Sequence, residues 1–180
     1  MTIIDDYLEI QDEYVGKYGE NTIVLMQIGH FYEAYAIDNE VEKTNSENVY
    51  RISDILNIQL TRKNKSIIEN SRGNPIMIGV NLFSIDKYIT LLLNSNYTTV
   101  IIDQVTEPPD PKRKVTGVFS PGTNVLHNNK GETNNLTTIY INIFSDLKKY
   151  KDVMTIGISA VDLSTGKSTI FETHSDANDI

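Results

Sequence analysis

The sequence predicts a mixed α/β fold, because segments with helical periodicity alternate along the chain with short apolar runs typical of strands. Apolar residues recur every three to four positions near residues 2–18, 47–57 and 85–93. Between these segments lie apolar runs such as 22–28 and 97–102, which are rich in the β-branched and aromatic residues favoured in strands. We therefore expect a mixed β-sheet flanked by helices.

The first elements follow from the position of two glycines. Residues 2–18 predict an amphipathic helix that ends near Gly19. Residues 22–28 are almost continuously apolar, which is typical of a short strand buried on both faces. Gly29 permits a sharp change of direction, and we expect the chain to stay extended from there to about Ala36.

The middle of the chain continues the alternation. The apolar side of residues 47–57 predicts a second helix, and we leave open whether earlier turns begin at Asp38. Residues 58–62 alternate as in a strand, residues 63–74 form a polar loop, and residues 77–80 predict another short strand. These segments extend the same sheet.

A third helix and two further strands complete the first predicted domain. Ser84 is a suitable N-cap, with Asp86 in the first turn of the helix that follows. Residues 97–102 predict a strand, the prolines within residues 108–111 interrupt regular structure, and residues 114–119 predict the last strand. We place this domain at residues 1–124.

The composition changes after residue 124. Residues 125–136 are rich in Asn, Gly and other polar residues, which indicates a linker. Beyond it, residues 137–180 contain alternating isoleucines and a Ser-Thr-Gly-Lys turn, which together predict an antiparallel meander of three strands.

Composition excludes several classes of protein. The chain has no Cys and three His, so we expect neither disulfides nor a metal site. It has no phosphate-binding glycine loop and hence no predicted ATP site. It has no apolar run long enough to cross a bilayer and no basic signal segment at its N-terminus. We expect a soluble intracellular protein without membrane contact; nucleus, organelle, bacterial cytoplasm and virus factory are all compatible with the sequence.

The charge is unevenly distributed. The formal net charge is −8, which argues against nucleic acid as a partner, but residues 58–125 carry eight basic and five acidic side chains. Basic loop residues are usually just solvated, so a phosphate-binding role competes with that simpler interpretation. The candidate phosphate contacts are Arg62, Lys63, Lys65, Arg72, Lys112, Arg113 and Lys114.

The stretch from Gly29 to Glu33 contains the strongest functional signal. If this segment is extended, Phe31 and Glu33 point to the same face, because side chains alternate along a strand. An aromatic ring beside a carboxyl group suits a wedge that enters a base stack and tests the base it meets. Tyr32 would face the core. The simpler alternatives are a core position for Phe31 and a solvated surface carboxylate for Glu33.

Four blocks of the sequence, in order, resemble the MutS family of DNA mismatch repair proteins. Residues 29–33 resemble its Gly-Asp-Phe-Tyr-Glu motif, and the further similar blocks are residues 54–63, 75–88 and 103–123. The chain departs from the family pattern at three positions, which carry His for Asp, Asn for Pro and Phe for His: His30, Asn81 and Phe83.

The resemblance implies a mismatch-recognition domain in which Phe31 enters the base stack and Glu33 hydrogen-bonds the mispaired base. Its implied partner is double-stranded DNA with mispairs or small loops. Residues 137–180 are similar to the start of the family's connector domain, which is ribonuclease-H-like. The chain would then be a fragment, without a cofactor of its own, of a dimeric protein whose ATPase domain, with ATP and Mg, lies elsewhere.

Two other functional classes compete with this interpretation. The first is a general nucleic-acid or protein-interaction module without mismatch specificity. The second is a small nuclease or other hydrolase, which the scarcity of His and the lack of clustered carboxylates argue against. Accordingly we predict no catalytic residues and no enzyme activity for this chain.

Overall fold

The chain folds into two compact units, Met1–Pro121 and Gly122–Ile180. The computed structural model describes residues 2–107, 109, 111–122, 135–146, 151–163 and 165–176. Most of the predicted linker, and part of the predicted break at 108–111, therefore lie outside the described residues. In the described part of the chain, no helix combines the length and the apolar character needed to cross a bilayer.

The first unit alternates helices and strands. Its helices are α1 (Ile3–Tyr18), α2 (Ser46–Leu56) and α3 (Ile85–Asn94). Its strands are β1 (Thr22–Ile28), β2 (Phe31–Asp38), β3 (Lys43–Thr44), β4 (Thr61–Arg62), β5 (Ile76–Asn81), β6 (Thr98–Gln104) and β7 (Arg113–Phe119). The strands form a sheet in the order β4-β5-β2-β1-β6-β7, and β3 pairs with β2.

The sheet is mixed because β1 pairs with β2 in the antiparallel sense and with β6 in the parallel sense. Residues 22–26 of β1 are all buried, which means that both faces of the sheet are covered at its centre. On one face, α1 is fixed to β1 by the Tyr7 hydroxyl, which donates to the Val24 carbonyl at 3.0 Å. The arrangement confirms the predicted mixed α/β class.

One predicted strand was too long, and one predicted helix cap lacks a side-chain bond. The predicted strand over residues 58–62 shrinks to Thr61–Arg62, because the Ile58 amide donates to the Ser53 carbonyl at the end of α2 and the Ser53 hydroxyl donates back to the Ile58 carbonyl. The prediction that Ser84 is the N-cap of α3, with Asp86 in the first turn, is confirmed, although the Ser84 side chain makes no capping hydrogen bond. Asn81 caps the preceding 3-10 turn instead, accepting from the Phe83 amide at 2.9 Å.

The second unit contains an antiparallel sheet in the order β10-β9-β8. Its strands are β8 (Asn135–Asp146), β9 (Lys151–Asp162) and β10 (Ser168–Asp176). This is the meander that the alternating isoleucines predict. Its assignment to a connector domain stays a prediction.

Candidate nucleic-acid interface

The hairpin between β1 and β2 places Phe31 at the end of the sheet. Ile28 pairs with Phe31, so the turn has two central residues, Gly29 and His30. Gly29 has a φ of +59°, a conformation that glycine adopts without steric cost and that two-residue hairpins commonly require. The Leu82 amide donates to the His30 carbonyl at 3.0 Å, which joins this turn to the 3-10 turn after β5.

Phe31 and Glu33 lie side by side on one face of β2, as the alternation predicts. Both flank Gly79 on the neighbouring strand: a Cβ atom added at Gly79 would lie 4.0 Å from the Phe31 ring and 3.8 Å from Cγ of Glu33. Phe31 is 47% exposed, whereas Tyr32 on the opposite face is 5% exposed. An exposed aromatic ring therefore lies next to a half-buried carboxyl group at this end of the sheet.

Glu33 occupies an environment that disfavours its charged form. Burial is the main cause and raises the pKa of the Glu33 carboxyl, while a hydrogen bond from the Tyr35 hydroxyl and the nearby charge of Lys63 oppose that rise. The carboxyl is thus more easily protonated than an exposed glutamate, and in that state it can donate a hydrogen bond as well as accept one.

Tyr32 anchors β2 from the opposite face. Its hydroxyl donates to the Asp103 carboxylate on β6, and the Thr116 hydroxyl donates to the other oxygen of Asp103 at 2.7 Å. This carboxylate therefore links β2 across the sheet to β6 and β7. Phe31, the residue before Tyr32, is therefore carried on a strand that pairs with β1 on one side and with β5 on the other and that the Tyr32–Asp103 bond also fixes.

The predicted phosphate contacts have different partners in the structure. Lys63 lies close enough to Glu33 to influence its pKa, and Arg113 influences the pKa of Tyr35 on the same face. Arg113 also donates to the Gln27 carbonyl at 2.9 Å, which holds its guanidinium near the end of β1.

Four of the remaining predicted contacts are Arg62, Lys65, Lys112 and Lys114. Arg62 and Lys65 line an open groove of about 620 Å³ together with Tyr50 and Ile76. Lys112 and Lys114 are exposed. Their contact with phosphate stays a prediction.

Arg72 is engaged within the protein. Its guanidinium binds Asp5 of α1 at 2.8 Å and Glu42 at 2.7 Å. These ion pairs lower the pKa of both carboxyl groups, although for Asp5 the larger cause is the capping bond from the Thr2 backbone amide. A phosphate contact by Arg72 would have to compete with both partners.

Two further side chains near Phe31 and Glu33 were not among the predicted site residues. Tyr35 follows Glu33 by two positions on the same strand, so the alternation that pairs Phe31 with Glu33 could have found it. Phe83, in the turn tied to His30, is 87% exposed. The sequence marks Phe83 as a departure from the family pattern but does not show that it is exposed.

The chain is similar in sequence to MutS proteins over almost its whole length. Residues 3–128 match the family model described as MutS domain I. The chain is 35% identical over 179 residues to the mutS homologue L359 of Acanthamoeba polyphaga mimivirus, which covers 99% of this chain and 16% of that protein. It is 30% identical over 168 residues to the DNA mismatch repair protein MutS of Petrotoga mobilis, covering 91% and 16%. The protein of the same name from Fusobacterium nucleatum is 28% identical over 176 residues, covering 94% and 17%. The chain thus spans about a sixth of the length of these relatives.

Proposed function

Because this chain belongs to the MutS family and carries its domain I, we propose that it recognises mispaired bases in double-stranded DNA. Phe31 is the wedge, and Glu33 is the group that hydrogen-bonds the displaced base. The observation that carries the proposal is the half-exposed Phe31 ring, held beside Glu33 on a strand whose next residue, Tyr32, is buried. A ring that served the core would have the exposure of Tyr32.

Discrimination would come from the cost of opening the stack. Mispairs differ from sound pairs chiefly in poorer stacking and easier deformation. Inserting a ring from the minor groove costs a few kcal/mol of unstacking, and least where the base is already mispaired. Stacking of the base on the ring returns roughly 1–3 kcal/mol. Insertion is therefore favourable at a mispair and unfavourable in sound duplex.

Nearby cations would hold the phosphates. Lys63 and Arg113 are the best placed, because both act electrostatically on the face that carries Glu33 and Tyr35. With few such contacts and a net charge of −8, this chain should bind weakly and with a shallow dependence on salt. We also propose that the chain is part of a longer, dimeric protein in which a separate domain hydrolyses ATP.

The test is the preference for a G·T duplex over the same duplex fully paired, measured by fluorescence anisotropy. The protein is this chain set in place of the corresponding segment of a longer MutS protein. Phe31→Ala should lower the affinity for G·T DNA by about tenfold, the loss of one stacking contact, and leave the affinity for paired DNA nearly unchanged. Phe171→Ala is the matched control, since Phe171 is 57% exposed in the second unit. Equal loss on both duplexes would favour a general nucleic-acid module, and no loss would exclude Phe31 as the wedge.

A further inference from the structure

We propose that Tyr35 is a positioning residue for Glu33: its hydroxyl binds one carboxyl oxygen and leaves the other directed to the DNA. The inference rests on the proposed mismatch-recognition function. β2 brings the two side chains to one face, and the Tyr35 hydroxyl donates to Oε2 of Glu33. Among the described residues, no donor binds the other oxygen, Oε1.

The Tyr35 hydroxyl is a fixed donor because the rest of the side chain is locked in place. Tyr35 is 4% exposed, and its ring meets the Tyr7 ring edge to face, with centroids 5.1 Å apart and an interplanar angle of 82°. The Asn45 amide donates to the Tyr35 carbonyl at 2.9 Å. Moving the hydroxyl oxygen away from Glu33 would require the ring to shift and would break this packing, so Glu33 adapts to Tyr35 and its oxygens are held in a defined orientation.

The same bond affects when Glu33 takes up a proton. A donor bound to a carboxylate stabilises the charged form, so Tyr35 opposes the effect of burial on the pKa of Glu33. Among the described residues, the charged group that acts on Glu33 is Lys63, which lies off the strand. Tyr7 and Arg113 act on the Tyr35 hydroxyl rather than on Glu33, and the Tyr7 hydroxyl donates to Val24. Removing the Tyr35 hydroxyl leaves Lys63 as the group that opposes protonation.

Tyr35 would thereby set the pH range in which Glu33 changes from an acceptor to a donor. Close approach of DNA phosphates favours the protonated form, because a negative charge near the carboxylate raises its pKa. With Tyr35 bound to Oε2, the proton would reside on Oε1, the oxygen on the DNA side. A base acceptor that moves toward Glu33 after insertion of Phe31 then meets a donor.

The first test needs no DNA. The side-chain carboxyl carbon of Glu33 is titrated by NMR in the 180-residue chain, in Tyr35→Phe and in Tyr32→Phe. Tyr32→Phe is the matched control, since it also removes a hydroxyl bound to a carboxylate from β2, but on the opposite face. We expect the pKa of Glu33 to move upward in Tyr35→Phe and to stay at the wild-type value in Tyr32→Phe. An unchanged pKa in Tyr35→Phe, with the amide spectrum of the folded chain intact, would overturn the inference.

The second test links the contact to recognition. In the longer MutS protein carrying this chain, the ratio of affinities for G·T and paired duplex is measured from pH 5.5 to 8.5. Wild-type preference should weaken as the pH rises and Glu33 loses its proton. In Tyr35→Phe that weakening should begin at higher pH, whereas at the low-pH end of the range the variant should discriminate about threefold less than wild type, the fold-change of one modest hydrogen bond, because Tyr35 no longer holds the carboxyl oxygens of Glu33 in place. An unshifted profile would refute the role in recognition.

The two hypotheses fail separately. If Phe31→Ala retains the wild-type preference, the proposed function is wrong, whatever the titration of Glu33 shows. If Phe31→Ala loses the preference but Tyr35→Phe leaves both the titration and the pH profile unchanged, the function stands and the role of Tyr35 is refuted.

Discussion

Glu33 places an ionisable group in partly buried surroundings, and this should reduce the stability of the fold at neutral pH. Burial raises its folded-state pKa above the unfolded value of 4.5. The free energy of unfolding that Glu33 contributes in its protonated form is therefore fully present below pH 4.5. It is lost as the pH rises through the folded-state pKa. We expect Glu33→Gln to unfold less readily than wild type at pH 7 and equally at pH 3.

The gain from Glu33→Gln should stay below about 1 kcal/mol, because the carboxyl remains partly in contact with water. Glutamine keeps the length of the side chain, and its carbonyl oxygen can still accept from Tyr35. Urea unfolding monitored by circular dichroism at both pH values measures the difference. A stability difference of the same size at pH 3 and pH 7 would show that the titration of Glu33 is not its cause.

Sequence alone could predict the paired display of Phe31 and Glu33, because strand alternation is a local rule. It could not predict which basic residues are already engaged. The ion pairs of Arg72 join it to Asp5, which is 67 positions away, and to Glu42. Such contacts depend on how α1, the segment before β3 and the loop after β4 come together, which no local pattern records.

At the scale of elements, β5 supplies a glycine where β2 carries its two functional side chains. Gly79 pairs with Glu33 and has the Phe31 ring and Glu33 as its nearest neighbours. A single added methyl would make ordinary van der Waals contact with both. The two further methyl groups of valine would fill the space between the ring and the carboxyl group and hinder their movement toward DNA.

We therefore predict a graded effect at Gly79. Gly79→Ala should keep the preference for G·T over paired duplex, whereas Gly79→Val should reduce it by about tenfold, comparable to losing the stacking of one base. The fold should survive, since β-branched residues favour strands. Anisotropy titrations give the preference, and thermal unfolding provides the control for folding. Equal behaviour of the two variants would mean that the space beside Gly79 is not used in binding.

The helices and most strands of the first unit could be predicted because each carries its own periodicity. The predicted strand over 58–62 is an exception, because its first residues are held by hydrogen bonds to the end of α2. The 3-10 turn before α3, capped by Asn81, was also not predicted, since a single turn is too short to show a periodicity. The parallel pairing of β1 with β6 is equally hidden, because it joins strands more than 70 residues apart.

At the scale of the molecule, the two units differ in how well they bury their apolar side chains. The first unit has a continuous core around Leu25, Ile52 and Leu92, each fully buried. In the second unit, Ile139, Ile141 and Ile143 share one face of β8 and are between 56% and 61% exposed. A sheet with such a face gains little from the hydrophobic effect, which is the main source of stability in small domains.

Hydrogen exchange should show this difference directly. Amides paired between β1, β2 and β6 should exchange mainly through global unfolding of the first unit, since these strands are buried at the centre of its sheet. Amides paired between β8 and β9 should exchange through local opening, since the isoleucine face of β8 is exposed. We expect the second unit to exchange at least about 100-fold faster at neutral pH, equivalent to roughly 2.7 kcal/mol less protection.

Mass spectrometry of peptides from the two sheets provides the measurement, and an apolar substitution supplies the control. Ile141→Thr replaces an exposed ethyl group on the second sheet with a hydroxyl and should leave exchange in the first unit unchanged. Leu92→Ala removes buried methyl groups from α3 and should weaken the first unit by about 2–5 kcal/mol, so its amides exchange faster. Comparable protection of both sheets in the wild-type chain would contradict the prediction, because it would require the isoleucine face of β8 to be covered in solution.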